Sequence, residues 1–253
     1  MSAAAAHALV TGGGSGIGRA IAVALADAGH CVTIVGRSVE RLEAVRAERA
    51  HIRTFACDIG DEASVANMMA GAAAQSGPIG ALVNCAGTVQ TAPFEKTPDM
   101  VWDSLWRTNV LGAVHAIRAV LPTMRALPSA RIINIGSTAS LKGYGYVSAY
   151  TATKHAMLGM TRALAVELAG TSITVNAVCP GYADTDIIRD AVETIAAKTG
   201  QTRDEALATF TRTNPQGRLI DPEEVAATVL WLLSDAARSV TGQAIAVAGG
   251  EVM

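Results

Sequence analysis

Short apolar runs alternate with longer helix-period segments almost from end to end, and that alternation sharply limits what the chain can fold into. The apolar runs lie at 8–11, 31–35, 52–56, 81–84, 131–135, 174–178 and 244–248. Each is apolar through most of its length rather than strictly alternating, as in parallel strands covered on both faces. Helix patterns fill the gaps at 17–28, 39–49, 62–75, 99–127, 149–168 and 222–233. Gly29 and Gly170 stand where helix C-caps belong, and Pro222 after Asp221 reads as the first helical residue behind its N-cap. Parallel strands need crossovers, and this rhythm supplies a helix for them. The expected fold is α/β, a doubly wound parallel sheet of about seven strands with helices on both faces.

The 253 residues suffice for one such domain, spanning 1–253, and no composition shift marks a second. Half the residues are hydrophobic but only 4% are aromatic, so Ala, Val, Ile and Leu must build the interior. Net charge is −2 with no block of like charges, which speaks against nucleic acid or a membrane as partner. Cys31, Cys57, Cys85 and Cys179 form no CxxC pair, and His7, His30, His51, His115 and His155 show no ligand spacing. Free thiols in a reducing cytoplasm, and no metal, are expected. The first eight residues lack a basic start, so no signal peptide is expected, and no apolar stretch is long enough to span a bilayer. One segment breaks the rhythm. Residues 182–221 carry mixed helical patterns at 187–198 and 203–213, and an insertion of that length suggests an active-site lid. A surface insertion that merely caps the sheet stays open.

The first strand runs into Thr11-Gly12-Gly13-Gly14-Ser15-Gly16-Ile17-Gly18, and a helix follows at once. Glycines let the backbone approach a pyrophosphate, and a helix N-terminus offers free N–H groups with a partial positive charge. Strand before and helix after make an ordinary turn the weaker reading. The spacing departs from plain G-x-G-x-x-G and resembles the T-G-x-x-x-G-x-G pattern of the short-chain dehydrogenase/reductase family. Further landmarks recur in order: Asp58, Asn84-Cys85-Ala86-Gly87, Asn109, Ser137, Tyr150, Lys154 and Pro180-Gly181. Cys85 stands where the family has a second Asn. The resemblance, close to bacterial 3-oxoacyl-thioester and polyketide-type ketoreductases, runs from about Leu9 to Gly250. It implies a Rossmann-type sheet and a nicotinamide dinucleotide held by Gly12, Ser15, Gly16, Ile17, Gly18, Asp58, Ile59, Asn84, Ala86, Gly87, Tyr150, Lys154, Pro180, Gly181 and Thr185. Asp58 would meet the adenine, and Thr185 the nicotinamide carboxamide.

Ketone reduction needs hydride at carbon and a proton at oxygen. Tyr150 and Lys154 lie four apart on a predicted helix and so share one face. A free tyrosine titrates near ~10, and a neighbouring cation favours the phenolate. Ser137, ending the fifth strand, is placed to hydrogen-bond the same carbonyl oxygen. By resemblance, Lys154 also grips the nicotinamide ribose and Asn109 holds a water that links it to solvent. Asn is disfavoured in mid-helix, so Asn109 already asks for a reason. Taken alone, a Tyr/Lys pair is a stacked surface pair and a Ser after a strand is an N-cap; their joint occurrence below the cradle points to catalysis.

The second strand ends Val35-Gly36-Arg37-Ser38. NAD sites place an acid there for the ribose 2′-hydroxyl. Here Gly36 holds the place, and Arg37 and Ser38 are available to a 2′-phosphate, which favours NADP(H) with NAD(H) possible. The expected substrate is a small-molecule ketone or secondary alcohol, by resemblance a 3-oxoacyl or 3-hydroxyacyl thioester. Arg189, Lys198, Arg203 and Arg212 in the insertion are candidates for its polyphosphate, with solvated surface charge as the commoner alternative for such residues. Alternatives are a dehydrogenase of a simple alcohol or sugar, and a catalytically silent nucleotide-binding subunit. A homotetramer is expected from the resemblance and from helices 99–127 and 149–168, which are richer in apolar residues than one sheet face can cover.

Overall fold

The computed structural model describes residues 7–253; most of the 1–8 stretch discussed above lies outside them. Seven parallel strands form one sheet in the order β3-β2-β1-β4-β5-β6-β7. They are β1 His7–Thr11, β2 Cys31–Gly36, β3 Ile52–Ala56, β4 Ile79–Asn84, β5 Ala130–Ile135, β6 Ile173–Pro180 and β7 Ala244–Val247. Strands β1, β4, β5 and β6 are buried at every residue, which explains why their sequences do not alternate.

The helices are α1 Gly16–Asp27, α2 Val39–Glu48, α3 Glu62–Ser76, α4 Asp99–Trp106, α5 Gly112–Met124, α6 Ser148–Glu167, α7 Asp186–Thr199, α8 Arg203–Thr211 and α9 Pro222–Leu233. On one sheet face α1, α2 and α9 build a core that includes Ile21, Leu25, Leu42, Val225 and Val229. On the other, α3, α5 and α6 cover Leu9, Leu82 and Ile132 with Val65, Ile117, Val120 and Ala165. Burying a side chain such as Leu25 contributes about 1.5–3 kcal/mol relative to leaving it exposed. Strand order reverses between β1 and β4, and the crevice over their C-terminal ends is where such folds bind ligands. Among the described residues, no helix is long and apolar enough to cross a membrane.

Three details differ from the sequence expectation. The single helix expected at 99–127 is interrupted by a π turn at Arg107–Leu111 and ends at Met124, with residues 125–127 forming a short turn. Gly170 does not adopt positive φ; the helix ends at Glu167 with Leu168 as its C-cap, and its last carbonyls are met by ordinary turns, whereas Gly29 has φ +88°. Strand β7 ends at Val247, so Ala248 is already in the turn. The insertion folds as α7 and α8, which bury Val192 and Ala206.

Helix α9 packs against α1, the helix that follows the glycine turn, and its N-terminus is tied by one carboxylate. Glu224 accepts from the Asp221 N–H at 2.9 Å and from Arg218 at 2.7 and 2.9 Å. The Arg218 hydrogen bond, then that backbone N–H, pull its carboxyl from 4.5 down to about 2. A depressed carboxylate stabilises the fold above its unfolded value of 4.5, and that stability is lost as pH falls towards about 2. Because the side chain is 38% exposed, screening reduces the contribution to about 1 kcal/mol. Glu224→Gln is therefore expected to lower unfolding stability by that amount at pH 7, with the gap closing below pH ~4.5. Denaturant titrations across pH check this; a gap that stays constant down to acid would contradict it.

Candidate active site

Glycine makes the turn after β1 possible. Gly12 has φ +69°, and a Cβ there would stand 2.8 Å from the Ala86 backbone. At Gly18 a Cβ would stand 2.2 Å from the Gly12 carbonyl oxygen. Only glycine lets β1, the turn after β4 and α1 come this close. Thr11 Oγ1 closes the junction by accepting from the N–H groups of Cys85 and Ala86, each at 3.1 Å. That role for Thr11 was missed in the sequence, where a buried hydroxyl at a strand end was its only signal.

Helix α1 then starts with Ser15 as N-cap, with no side-chain cap bond and no acid in its first turn. The N–H groups of Gly16, Ile17 and Gly18 therefore have neither a capping side chain nor an intrahelical acceptor. With the helix dipole they form a natural seat for a pyrophosphate, so the residues present fit a dinucleotide. Across the cleft, Thr185 is the N-cap of α7, and its methyl lies 3.1 Å from where a Gly16 Cβ would be. Pro180 and Gly181 end β6 at the same edge.

At the adenosine end, Arg37 is exposed and Ser38 N-caps α2 by accepting from the Arg41 N–H at 3.3 Å. Ser38 thereby keeps its hydroxyl proton for another acceptor. Arg41 lies against Gly14, its Cβ 3.3 Å from where a Gly14 Cβ would be, and was not singled out in the sequence. Among the described residues neither Arg37 nor Arg41 has an ion pair. Asp58 braces its own turn by accepting from the Gly60 N–H at 2.9 Å, and its side chain stays 53% exposed for a ligand. Ile59 is buried under Gly112, so it shapes this wall from below. Asn84 donates to Asn134 at 2.9 Å, and Asn134 donates to Thr161 at 2.8 Å. Asn84 is thus a cross-strand tie inside the sheet, and its Oδ1 is buried without a partner.

Asn109, Ser137, Tyr150 and Lys154, the four residues expected from the sequence to carry chemistry, lie around the ends of β4 and β5. Lys154 is 6% exposed, and its Nζ donates to the Ile135 carbonyl at 2.8 Å. The same Nζ stands 5.7 Å from the centroid of the Tyr150 ring, one helical turn away on α6. Ser137 Oγ accepts from the Ala139 N–H at 3.1 Å, so it caps a 3-10 turn while its own proton stays available. Asn109 sits in the π turn. Its amide spans Thr88, accepting from the N–H at 2.8 Å and donating to the carbonyl at 2.9 Å. The π turn supplies the reason that a mid-helix Asn demanded, and such turns concentrate at functional sites. A Cβ at Gly87 would lie 3.3 Å from Asn109 Oδ1 and 3.7 Å from Lys154 Nζ, so glycine keeps open the space between them.

Burial pushes Cys85 up to about 12, with Lys154 only partly opposing, and burial likewise raises Cys179. His155 is exposed and bonded to its own helix, away from the reacting groups. Among the described residues, no group of three His, Cys, Asp or Glu is arranged to hold a metal ion. After the Ser137 turn, Tyr144 stacks edge to face on Tyr182, and Tyr182 on Phe210 of α8, with centroids 6.4 and 5.2 Å apart. Sequence reading missed this wall because its members come from three distant segments. Of the four cations named in the 182–221 insertion, two are ion-paired. Arg189 is paired with Asp184 at 2.9 Å and Arg203 with Glu193 at 2.9 Å, which leaves Lys198 and Arg212 unpaired among the described residues.

A family model described as short chain dehydrogenase matches residues 6–196, and the chain belongs to that family. A Streptomyces virginiae protein named as a ketoacyl reductase of the monensin polyketide synthase is 40% identical over 249 residues, covering 96% of this chain and 95% of that one. The D-beta-hydroxybutyrate dehydrogenase of Cupriavidus necator is 36% identical over 252 residues, covering 97% of each. Among solved structures, a single-substitution variant of actinorhodin polyketide ketoreductase with NADPH superposes with a TM-score of 0.93, at 34% identity and 99% coverage of both chains. The protein is therefore an oxidoreductase of the short-chain type, acting between ketone and CH–OH groups.

Proposed function

We propose that this enzyme reduces the ketone of a 3-oxoacyl derivative with NADP(H), through Tyr150, Ser137, Lys154 and Asn109. The observation that carries the reading is the joint placement of Tyr150 and Lys154 on one face of α6 beside the Ser137 turn, below an uncapped α1 N-terminus. The nicotinamide, when bound, supplies or accepts the hydride. The protein's own groups do the rest. Ser137 donates its free hydroxyl proton to the substrate oxygen and holds it near the Tyr150 phenol. Tyr150 gives that oxygen its proton as negative charge develops, and Lys154, buried and positive, stabilises the phenolate left behind. Asn109, fixed by Thr88, orients a water between Lys154 and solvent that returns the proton. Gly12, Ser15, Gly16, Ile17 and Gly18 hold the pyrophosphate; Asp58, Ala86 and Gly87 line the adenosine and central part, with Ile59 and Asn84 buried behind them. Pro180, Gly181 and Thr185 face the nicotinamide, and the 182–221 insertion is the lid of a single catalytic domain.

Assembly as a homotetramer in the cytoplasm completes the proposal. Met100, Trp106 and Leu111 project from the α4 and π-turn region, exposed by 73%, 44% and 38%, as an apolar face awaiting a second copy would be. All four cysteines are free, which suits a reducing compartment. Sedimentation at micromolar concentration tests the assembly, and a monomer there would rule it out.

Tyr150→Phe keeps the ring and removes the transferable proton. Turnover is expected to fall by at least the ~10²–10⁴-fold typical of general acid–base catalysis, with cofactor affinity little changed. Near-normal turnover would sink the assignment. The same substrate and enzyme test the cofactor reading. No acid at Gly36 opposes a 2′-phosphate, and charge-assisted hydrogen bonds from Arg37 contribute about 1.5–3 kcal/mol each, roughly ten- to hundredfold. NADPH is expected to exceed NADH in kcat/KM by about that factor. Arg37→Ala is expected to erase most of the difference, and Gly36→Asp to turn it towards NADH. If wild type prefers NADH and Arg37→Ala changes nothing, the NADP(H) reading is wrong.

A further inference from the structure

The end of the chain carries a buried charge that the reaction does not use. Glu251 follows Gly249-Gly250, and its side chain is only 1% exposed. Its Oε1 accepts the Tyr144 hydroxyl at 2.6 Å and lies 3.2 Å from the Lys142 ammonium. Lys142 Nζ also stands 5.0 Å from the centroid of the Tyr144 ring. On its other side, Glu251 Oε2 is 3.2 Å from where a Gly181 Cβ would be. The carboxylate thus joins the turn after β6 to the loop after β5, which carries Ser137.

A phenol has one proton. The carboxylate takes it, so the Thr138 hydroxyl, 2.6 Å from the same phenolic oxygen, must donate to Tyr144 rather than accept from it. Burial first, and Glu251 second, hold Tyr144 well above the ordinary tyrosine range. Tyr144 therefore keeps its proton and is a fixed wall, not a second acid. That wall continues edge to face through Tyr182 to Phe210 on the lid, and Tyr182 lies within electrostatic range of both Glu251 and Tyr150.

A buried carboxylate is costly unless paired, and here the pairing also cancels the Lys142 charge beside this wall. A free 3-oxo acid reaching Tyr150 would meet apolar ring faces and a compensated Lys142. Arg212, exposed at the end of α8, is the other cation in range of Tyr182, and water screens it. An ester or thioester with the same 3-oxo group brings no charge to that place. We propose that Glu251 is a specificity-determining residue, which by neutralising Lys142 and fixing Tyr144 makes the site select neutral 3-oxoacyl derivatives over free 3-oxo acids. This rests on Tyr150 being the centre of ketone reduction.

The test compares ethyl acetoacetate with acetoacetate, which share the ketone and differ in the charged end. The quantity read is the ratio of their kcat/KM values within each variant, so any general loss of activity cancels. Glu251→Gln keeps the size and an acceptor for Tyr144 but uncovers the Lys142 charge. It is expected to shift the ratio towards the acid by about five- to tenfold, and the gain should shrink as salt is raised. Lys142→Met leaves the carboxylate uncompensated and is expected to shift the ratio the other way by a similar factor. The double variant should return near the wild-type ratio. Parallel losses on both substrates, with no change of ratio, would make Glu251 a structural tail anchor and overturn the inference. A wild type that reduces neither compound nor any other ketone would instead overturn the reading of the Tyr150 site, and this inference with it.

Discussion

Everything in this molecule depends on a backbone contact that no side chain could survive. Gly18 comes so near the Gly12 carbonyl that a methyl there would stand 2.2 Å from its oxygen, and Gly12 meets the Ala86 backbone at similar range. Strand β1, helix α1 and the turn after β4 are thereby fused at the point where strand order reverses. The fusion aims the uncapped start of α1 into the cleft, and it sets the distance from there to the end of β5. Ser137 and α6 are positioned relative to that end. Thr11 reinforces the same junction with two hydrogen bonds to the β4 turn, so cofactor cradle and chemical centre share one rigid base.

On that base the chemical groups are held mainly through backbone carbonyls and amides. Lys154 is fixed by the Ile135 carbonyl and Asn109 by both polar groups of Thr88. Backbone partners of strands and strand ends cannot change rotamer, so the lysine and the asparagine are preorganised at little entropic cost. The π turn at Arg107–Leu111 is part of the same economy. It sits between α4 and α5 and carries the Asn109 amide that joins Thr88, which spares the asparagine from competing with an ordinary helical ladder. In the sequence this region reads as one long helix, because apolar periodicity is insensitive to a single extra residue per turn.

That difference shows what was legible and what was not. The doubly wound parallel sheet was legible because each strand and its crossover helix is a local pattern, and the cradle because its residues are contiguous. Tyr150 and Lys154 were legible for the same reason: helix geometry converts a spacing of four into a shared face. Gly170 misled because a glycine near a helix end suggests positive φ, yet this helix ended without needing it. The ion pairs of Arg189 and Arg203 were not legible because their acidic partners, Asp184 and Glu193, are brought to them only by the folded start of α7 and by the packing of α7 on α8. Charge in a sequence carries no information on whether it is already spent.

The substrate side is the extreme case. Tyr144, Tyr182, Phe210 and Glu251 come from the loop after β5, the end of β6, the lid and the tail, and Tyr144 and Glu251 are separated by 107 residues. Periodicity cannot link them, and neither aromatic content nor net charge singles them out. Their placement has a physical logic nonetheless. Reduction of any ketone requires the same oxygen, proton donor and hydride path, so those groups sit on strand ends and one helix. Discrimination among ketones requires surfaces that differ from relative to relative, and loops, lid and tail alter without disturbing the sheet. A carboxylate buried in the tail sharpens this division: it acts on what approaches Tyr150 without touching the atoms that react, so selectivity and chemistry rest on separate parts of the chain.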